Sequence, residues 1–543
     1  MKTSPSISQE EIIAFLCDPR SYPYHPKRVH FVQTHASYVI LGSPYVFKVK
    51  KKVNLGFLDF SSLKNRRYYS EREVTLNRRL CPDIYLGVIP ISLSAGKLAF
   101  GKGEKVVEYA VKMRKLQDRY FLLRLLRQDQ VTTKDLDRIV SRLKDFYEKE
   151  TPSRKISKWG RVENLKISTG ENFNQARAFV GLTISREAFE AIAYYTSLFY
   201  ARKGALFNAR VRERRIRDCH GDLHLEHIHL APKTLSIFDC IEFNDRFRYI
   251  DVASDVAFLA MDFDHHDRPD LSRQITSRMA NSLRDSGMLG LMDFYKCYRA
   301  CVRGKVESFQ QARAEASGTE QKKSRMQAER YFRLALRYAL FGSEPTVLVV
   351  MGRAASGKST LANALGRELG LEVISSDRTR KELAAVPLFQ RVTGGARLCL
   401  YSEPMTNQTY KRLFQYAKTQ LDRYASLILD ATFSHREYRD ELRRLLDSKS
   451  ANYRFIEAEA PDEVVKQRLA QRKTATHVVS DARLEDFEML MQSYQTPSEI
   501  DKHHHLCVAT DRPITMTIAQ TLKELVLASF ELKFPQRSTV TCS

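Results

Sequence analysis

No stretch of this chain comes near the roughly 18–20 consecutive apolar residues that a membrane-spanning helix needs. The polar opening MKTSPSISQEE has no apolar core of the kind a secretory signal carries. A cytoplasmic location without a membrane span is therefore the expectation. The nine cysteines show neither C-x-x-C pairing nor metal-ligand spacing, which favours reduced thiols over a disulfide framework or a structural zinc. Internal repeats and low-complexity tracts are also lacking, and no linker rich in Pro, Gly or Ser divides the chain.

What is present fits a globular protein of more than one core. The 543 residues exceed what a single ordinary hydrophobic core organises, and 43% hydrophobic with 28% charged residues favours neither a disordered nor a membrane class. The net charge of +24 is unevenly spread: residues 1–342 hold 60 Lys and Arg against 39 Asp and Glu, residues 343–543 only 28 against 25. A basic N-terminal part could attract nucleic acid, a phosphorylated ligand or an anionic surface; a solvated basic face is the plainer alternative.

From about Thr346 the apolar runs TVLVVM, LEVIS, SLILDAT, YRFIEAEA and HLCVAT alternate with the helical patterns STLANALGREL, YKRLFQYAKTQLDRY, REYRDELRRLLDS and PDEVVKQRLAQR. Such alternation predicts an α/β domain with a parallel sheet and flanking helices. After the first run comes Gly352-Arg353-Ala354-Ala355-Ser356-Gly357-Lys358-Ser359-Thr360, which fits G-x-x-x-x-G-K-[ST] between a strand and a helix. In that setting backbone N–H groups wrap phosphates, Lys358 neutralises their charge and the Ser359 hydroxyl reaches Mg2+. Asp430, ending LILD, is placed to organise the metal. Asp377 and Arg378 follow the second run, where a carboxylate could take a proton from an acceptor hydroxyl and a guanidinium could clamp its substituents; Asp377 could equally cap the next helix. Arg468 and Arg472, four apart, precede the polar segment TATHVVSDARLEDF, which reads as a lid delivering guanidinium to a phosphoryl group or as a solvated helix. Together these motifs resemble the P-loop kinase group that includes polynucleotide kinases, zeta toxins, gluconate kinases and chloramphenicol phosphotransferases. The resemblance implies phosphoryl transfer from ATP to a hydroxyl and leaves the acceptor open.

Upstream, YVILG, YVFKVK, KLAFG and VVEYAVKMR read as strands around a helical run from about Ser62 to Leu80; from Thr132 to Phe341 the pattern is mainly helical, with residues 314–324 the expected mobile loop. The stretch HGDLHLEHIHL opens at His220 and is followed by IFDCIEFND. Kinase catalytic loops use D-x-x-x-x-N and then a second Asp, because one carboxylate orients the attacking hydroxyl while the others hold metal against phosphate. Here Asp222 is followed by His227 at the Asn position and by Asp239. Lys48 on a strand and Glu73 on the helix behind it would supply the phosphate-binding ion pair, with Lys50 and Glu71 the alternative register. YVFKVKKKVNLGFLDFSSL, LNRRLCPDIYLGV, CHGDLHLEHI and FDCIEFNDRFRYIDVASDVAFLAMD resemble the aminoglycoside phosphotransferase-like branch of the protein-kinase-like fold, joined in two-part bacterial proteins to a P-loop kinase domain. The resemblance implies an α+β bilobal domain over 1–341, with a small lobe at about 30–115 and a helical lobe at about 116–341, then a P-loop domain over 342–543. It implies Asp222 as catalytic base and Asp239 as principal metal ligand. Imidazole suits hard Mg2+ poorly and Mn2+ better, so His227 makes Mn2+ possible at this site. Two functions remain in view: an ATP-dependent phosphotransferase acting on a small hydroxylated molecule or a nucleic acid, and a regulatory ATP-binding protein whose N-terminal domain captures RNA or a phosphorylated ligand.

Overall fold

The computed structural model describes residues 7–56, 58–313, 317–472 and 479–534. The chain divides into two compact units, Met1–Ile167 with Gly204–Tyr295, and Ser168–Lys203 with Lys296–Ser543. The expected break near Gly342 thus lies inside the second unit, which also takes in two helical segments of the expected helical lobe. The helix Arg186–Arg212 leaves helical geometry at Lys203 (φ −122°, ψ 17°), where the division falls.

In the first unit, β1 (His30–Gln33), β2 (Ser37–Gly42), β3 (Tyr45–Lys50), β4 (Tyr85–Ser94), β5 (Lys97–Phe100) and β6 (Lys105–Arg114) form one sheet in the order β1-β2-β3-β6-β4-β5, every pair antiparallel. The period of two in YVFKVK sends Phe47 and Val49 into a core with Ile12, Leu16, Tyr22, Ile40 and Ile91. It sends Lys48 and Lys50 to the opposite face, towards the helix Leu63–Asn77. That helix starts where the Ser62 side chain accepts from the Asn65 N–H. β4 is absent from the strands expected above. Its Gly87 and Pro90 discourage that reading, and the sheet accommodates the segment with irregularities at Tyr85/Gly87 and Ile91/Ser92.

Two short antiparallel pairs frame the histidine-rich loop: β7 (Ile216–Asp218) with β10 (Tyr249–Asp251), and β8 (Ile228–Leu230) with β9 (Leu235–Ile237). Asp251 then caps the helix Val252–His265, accepting from the Ala253 N–H.

The second unit carries β11 (Thr346–Met351), β12 (Glu372–Ser375), β13 (Leu427–Asp430), β14 (Asn452–Glu459) and β15 (His505–Ala509), all parallel, in the order β12-β13-β11-β14-β15. Every residue of TVLVVM is buried, as a central strand covered on both faces requires. Val347, Val349, Leu427, Leu429 and Phe455 pack there against Leu413, Phe414, Leu442 and Leu446. The expectation of a mobile loop over 314–324 is corrected by the helix Gly318–Leu340. Ser317 and Glu320 form a reciprocal capping box at its start, which offsets the cost of nucleating it, and residues 314–316 lie outside the described ones.

Candidate functional site

Each unit gathers its own cluster of chemistry-bearing side chains. In the second, β11 ends in the loop 352–357, whose turns demand left-handed backbone at Gly352 (φ 137°), Ala355 (φ 62°) and Gly357 (φ 94°). A Cβ on Gly352 would stand 2.5 Å from the Ala458 carbonyl oxygen, so only glycine fits. Gly357 is the N-cap of the helix Lys358–Leu369, so the loop runs directly into that helix's N-terminus, the end that favours anions. Lys358 and Asp430, at the end of β13, are both buried. Burial pushes the Asp430 carboxyl above its ordinary value, against the attraction of Lys358 and hydrogen bonding from Ser359. Asp430 Oδ1 and Ser356 Oγ are buried without a hydrogen-bond partner among the described residues. The orphaned oxygen of Asp430 with the neighbouring Ser359 hydroxyl is an all-oxygen donor set suited to Mg2+ or its bound water.

Around this loop the remaining expected residues take different parts. Arg353 turns away to Asp462 (3.1 Å) and the Ala460 carbonyl (3.1 Å), anchoring the loop. Arg468 donates to the Ala355 carbonyl (3.3 Å), Thr510 Oγ1 (3.2 Å) and the Thr510 carbonyl (2.6 Å), so it braces the loop. Burial lowers the Arg472 guanidinium, only partly offset by neighbouring Asp377. Asp377 lies in the first turn of the helix Ser376–Leu383, but Ser375 holds the N-cap position. Arg378 is exposed. A cavity of about 500 Å3 is lined by Gly357, Thr360, Arg468, Arg472, Thr510 and Arg512, among others, a size that holds a small ligand. Of the expected lid, residues 473–478 lie outside the described ones. Asp481, within it, ties the cleft together: it pairs with buried Lys381 (3.6 Å) and accepts from the Tyr401 hydroxyl (3.3 Å). Thr510 and the Lys381–Asp481 pair escaped the sequence reading, since neither belongs to a motif.

In the first unit, Lys48 Nζ lies 2.9 Å from Glu73 Oε1 and 2.5 Å from Asp239 Oδ1. Lys50 also meets Glu73, at 2.8 Å, and pairs with Glu242. Both lysines therefore share one buried glutamate, while Glu71, the alternative register, pairs with Arg67 in solvent. Asp239 has left-handed backbone (φ 63°), and its N–H meets the Tyr85 hydroxyl. Desolvation would raise its carboxyl, but the Lys48 ammonium and His227 together outweigh it and hold Asp239 well below the usual range.

The loop carrying Asp222 is held by a residue not singled out in the sequence: Asp255 accepts the N–H groups of His220 and Gly221, each at 2.9 Å, and the Tyr147 hydroxyl. Gly221 (φ 86°) passes so near the Phe247 carbonyl that a Cβ would sit 2.7 Å from it. His220 Nδ1 accepts from the Asp222 N–H and Nε2–H donates to the Phe238 carbonyl, which selects the neutral Nε2–H tautomer. His227 Nδ1 meets the Asp222 carbonyl (2.9 Å), and its Nε2 stands 3.6 Å from Asp239 Oδ2. His224 Nε2 stands 3.5 Å from Asp222 Oδ2, with its ring centroid 3.8 Å from that of His227. Asp222, His224 and His227 each offer a donor atom within 4.8 Å of the others. Two imidazoles with carboxylates suit Mn2+ or another borderline cation better than Mg2+. His224 was not singled out in the sequence; its i, i+3 spacing to His227 was the available signal.

Strand order, loop geometry and the buried Lys358 and Asp430 beside it make the C-terminal part a P-loop domain built on a parallel sheet. Residues 347–497 match the AAA domain family. The chain is 31% identical over 443 residues to an uncharacterized protein of Mycobacterium tuberculosis strain H37Rv, covering 81% of this chain and 85% of that protein, with the same values for an uncharacterized protein of Mycobacterium bovis. It therefore belongs to the family of these mycobacterial proteins, and the likeness is too long to fall within either unit alone. Among solved structures, it is similar to a gluconokinase from Sinorhizobium meliloti (17% identity, 36% of this chain and 98% of that one, TM-score 0.26). It is also similar to the APS kinase CysC of Mycobacterium tuberculosis in complex with AMPPNP and APS (21%, 34% and 98%, TM-score 0.24).

Proposed function

We propose that the protein is an ATP-dependent phosphotransferase with its principal catalytic site in the P-loop domain. The observation that carries this reading is the placement of Lys358, Ser359 and the partner-less Asp430 Oδ1 around one glycine-bounded loop. In the proposed reaction an acceptor hydroxyl attacks the γ-phosphorus in line. The new O–P bond forms as the bond to the β,γ-bridging oxygen breaks, ADP leaves, and the hydroxyl proton passes to Asp377. Lys358 and the main-chain N–H groups of the loop offset the charge on the phosphates. Arg472, beside Asp377, is the guanidinium best placed to steady the transferring group, whereas Arg468 shapes the loop and the cavity wall. Arg378, exposed after Asp377, is assigned to the acceptor, a small hydroxylated molecule or a nucleic-acid end. Mg2+ supplies charge neutralisation when held by Ser359 and Asp430.

For the N-terminal unit the proposed fold is the protein-kinase-like one, with Lys48 and Glu73 towards nucleotide phosphates, Asp222 as base, and Asp239 and His227 as ligands of Mn2+. The second reading, a regulatory module, is favoured by His227, whose imidazole stands 3.6 Å from Asp239 where catalytic loops carry Asn and suits Mg2+ poorly.

Labelled-ATP turnover by the full chain against metabolite and RNA extracts separates the readings. Lys358→Ala is expected to abolish C-terminal products, a loss of at least 10^2-fold for a site that relies on charge stabilisation; undiminished turnover overturns the principal assignment. Products that vanish in Asp222→Asn alone make the N-terminal unit a second kinase, and none vanishing makes it the binding module.

A further inference from the structure

In the second unit, the edge of the parallel sheet gathers three side chains of different chemistry. Glu457 on β14 and Cys507 on neighbouring β15 are register partners, and His505 lies two residues before Cys507, on the same face of its strand. Glu457 Oε2 is 2.9 Å from His505 Nε2, and Cys507 Sγ is 3.9 Å from that same nitrogen. One donor atom from each residue lies within 4.8 Å of the other two. The Tyr494 hydroxyl donates to the remaining Glu457 oxygen at 2.6 Å. Glu457 is buried, His505 half-buried and Cys507 exposed, so the cluster opens to solvent on one side.

We infer that Glu457, His505 and Cys507 form a Zn2+ site, with water completing a tetrahedron on the open side. Thiolate, imidazole and carboxylate are the three donors Zn2+ takes, and the thiolate excludes Mg2+ and Ca2+. Around one zinc, bonds of about 2.0–2.3 Å put tetrahedral ligand atoms roughly 3.3–3.7 Å apart. The contacts at 2.9 and 3.9 Å bracket that span, so small side-chain rotations bring all three donors onto one ion. The ligands sit on two hydrogen-bonded strands, so little backbone entropy is spent in assembling them. Tyr494 holds the free carboxylate oxygen as an outer-shell partner does, orienting the other towards the ion. Binding replaces the Cys507 S–H bond by S–Zn and releases one proton to solvent. The ion would cross-link edge strand β15 to β14, whose Glu457 is the register partner of Met351 just before the P-loop.

The test is Co2+ titration of the full chain after chelation. Expected is a thiolate-to-cobalt charge-transfer absorption, abolished in Cys507→Ser, retained in His227→Ala, and bleached by Zn2+. Tyr494→Phe is expected to keep the band with metal affinity about 10- to 100-fold weaker. Because Cys507 is exposed on an edge strand, serine leaves the fold intact. Absence of the band from the unmodified chain, or its survival in Cys507→Ser, overturns the site.

Discussion

At the scale of single residues, His220 shows how burial sets chemistry. Its imidazole is wholly buried, and desolvation drives its pKa from 6.5 down to about 3. The folded chain therefore refuses a proton that the unfolded chain accepts. The stabilisation is fully present above pH 6.5 and is lost as pH falls towards about 3, with a slope of up to about 1.4 kcal/mol per pH unit. Denaturant midpoints across this range are expected to fall more steeply for the natural chain than for His220→Gln, which can still donate to the Phe238 carbonyl; parallel curves would refute the account. The neighbouring ion pairs were only half legible. A period of two and a helix behind the strand suffice to propose Lys48 with Glu73, but that Lys50 joins the same carboxylate depends on Glu242, about 170 residues further along the chain. Asp255 was illegible for a similar reason: its role is to accept N–H groups of a loop, and main-chain donors leave no mark in a sequence.

At the scale of elements, the P-loop and its strand were readable because each requirement is local. Strand, glycines, lysine and helix follow one another without a break. Gly352→Ala should then be costly: φ of 137° with a Cβ 2.5 Å from the Ala458 oxygen predicts about 1–3 kcal/mol of lost stability and a raised KM for ATP. Urea unfolding and initial rates would check it, and an unchanged midpoint would show that the loop relaxes freely. Elements whose local signals conflict were harder to read. β4 carries Gly87 and Pro90 yet pairs along both sides, because the cross-strand partners in β5 and β6 outweigh local propensity. The segment after Ser317 reads as polar loop, yet a capping box and the buried face Tyr331, Phe332, Leu334 and Ala335 make it helix.

At the scale of the molecule, charge and connectivity diverge. Residues 1–342 carry nearly all of the net charge of +24, while the two units alternate along the chain, Ser168–Lys203 belonging to the same unit as the C-terminal sheet. If the basic part engages nucleic-acid phosphates, the full chain should bind RNA at low salt. Affinity should then fall about 10^3- to 10^5-fold between about 50 and 200 mM salt for six to ten neutralised phosphates. Fluorescence anisotropy with labelled RNA would measure the slope, and a flat response would assign the charge to a solvated face.

The sequence by itself determined the parallel sheet and the phosphate loop of the C-terminal part, because each is encoded by residues adjacent in the chain. Only the tertiary structure decided which helices group with which sheet, how two lysines share Glu73, and that Glu457, His505 and Cys507 meet across two strands. Those outcomes depend on contacts between residues far apart in sequence, where spacing carries no signal and packing alone selects the partner.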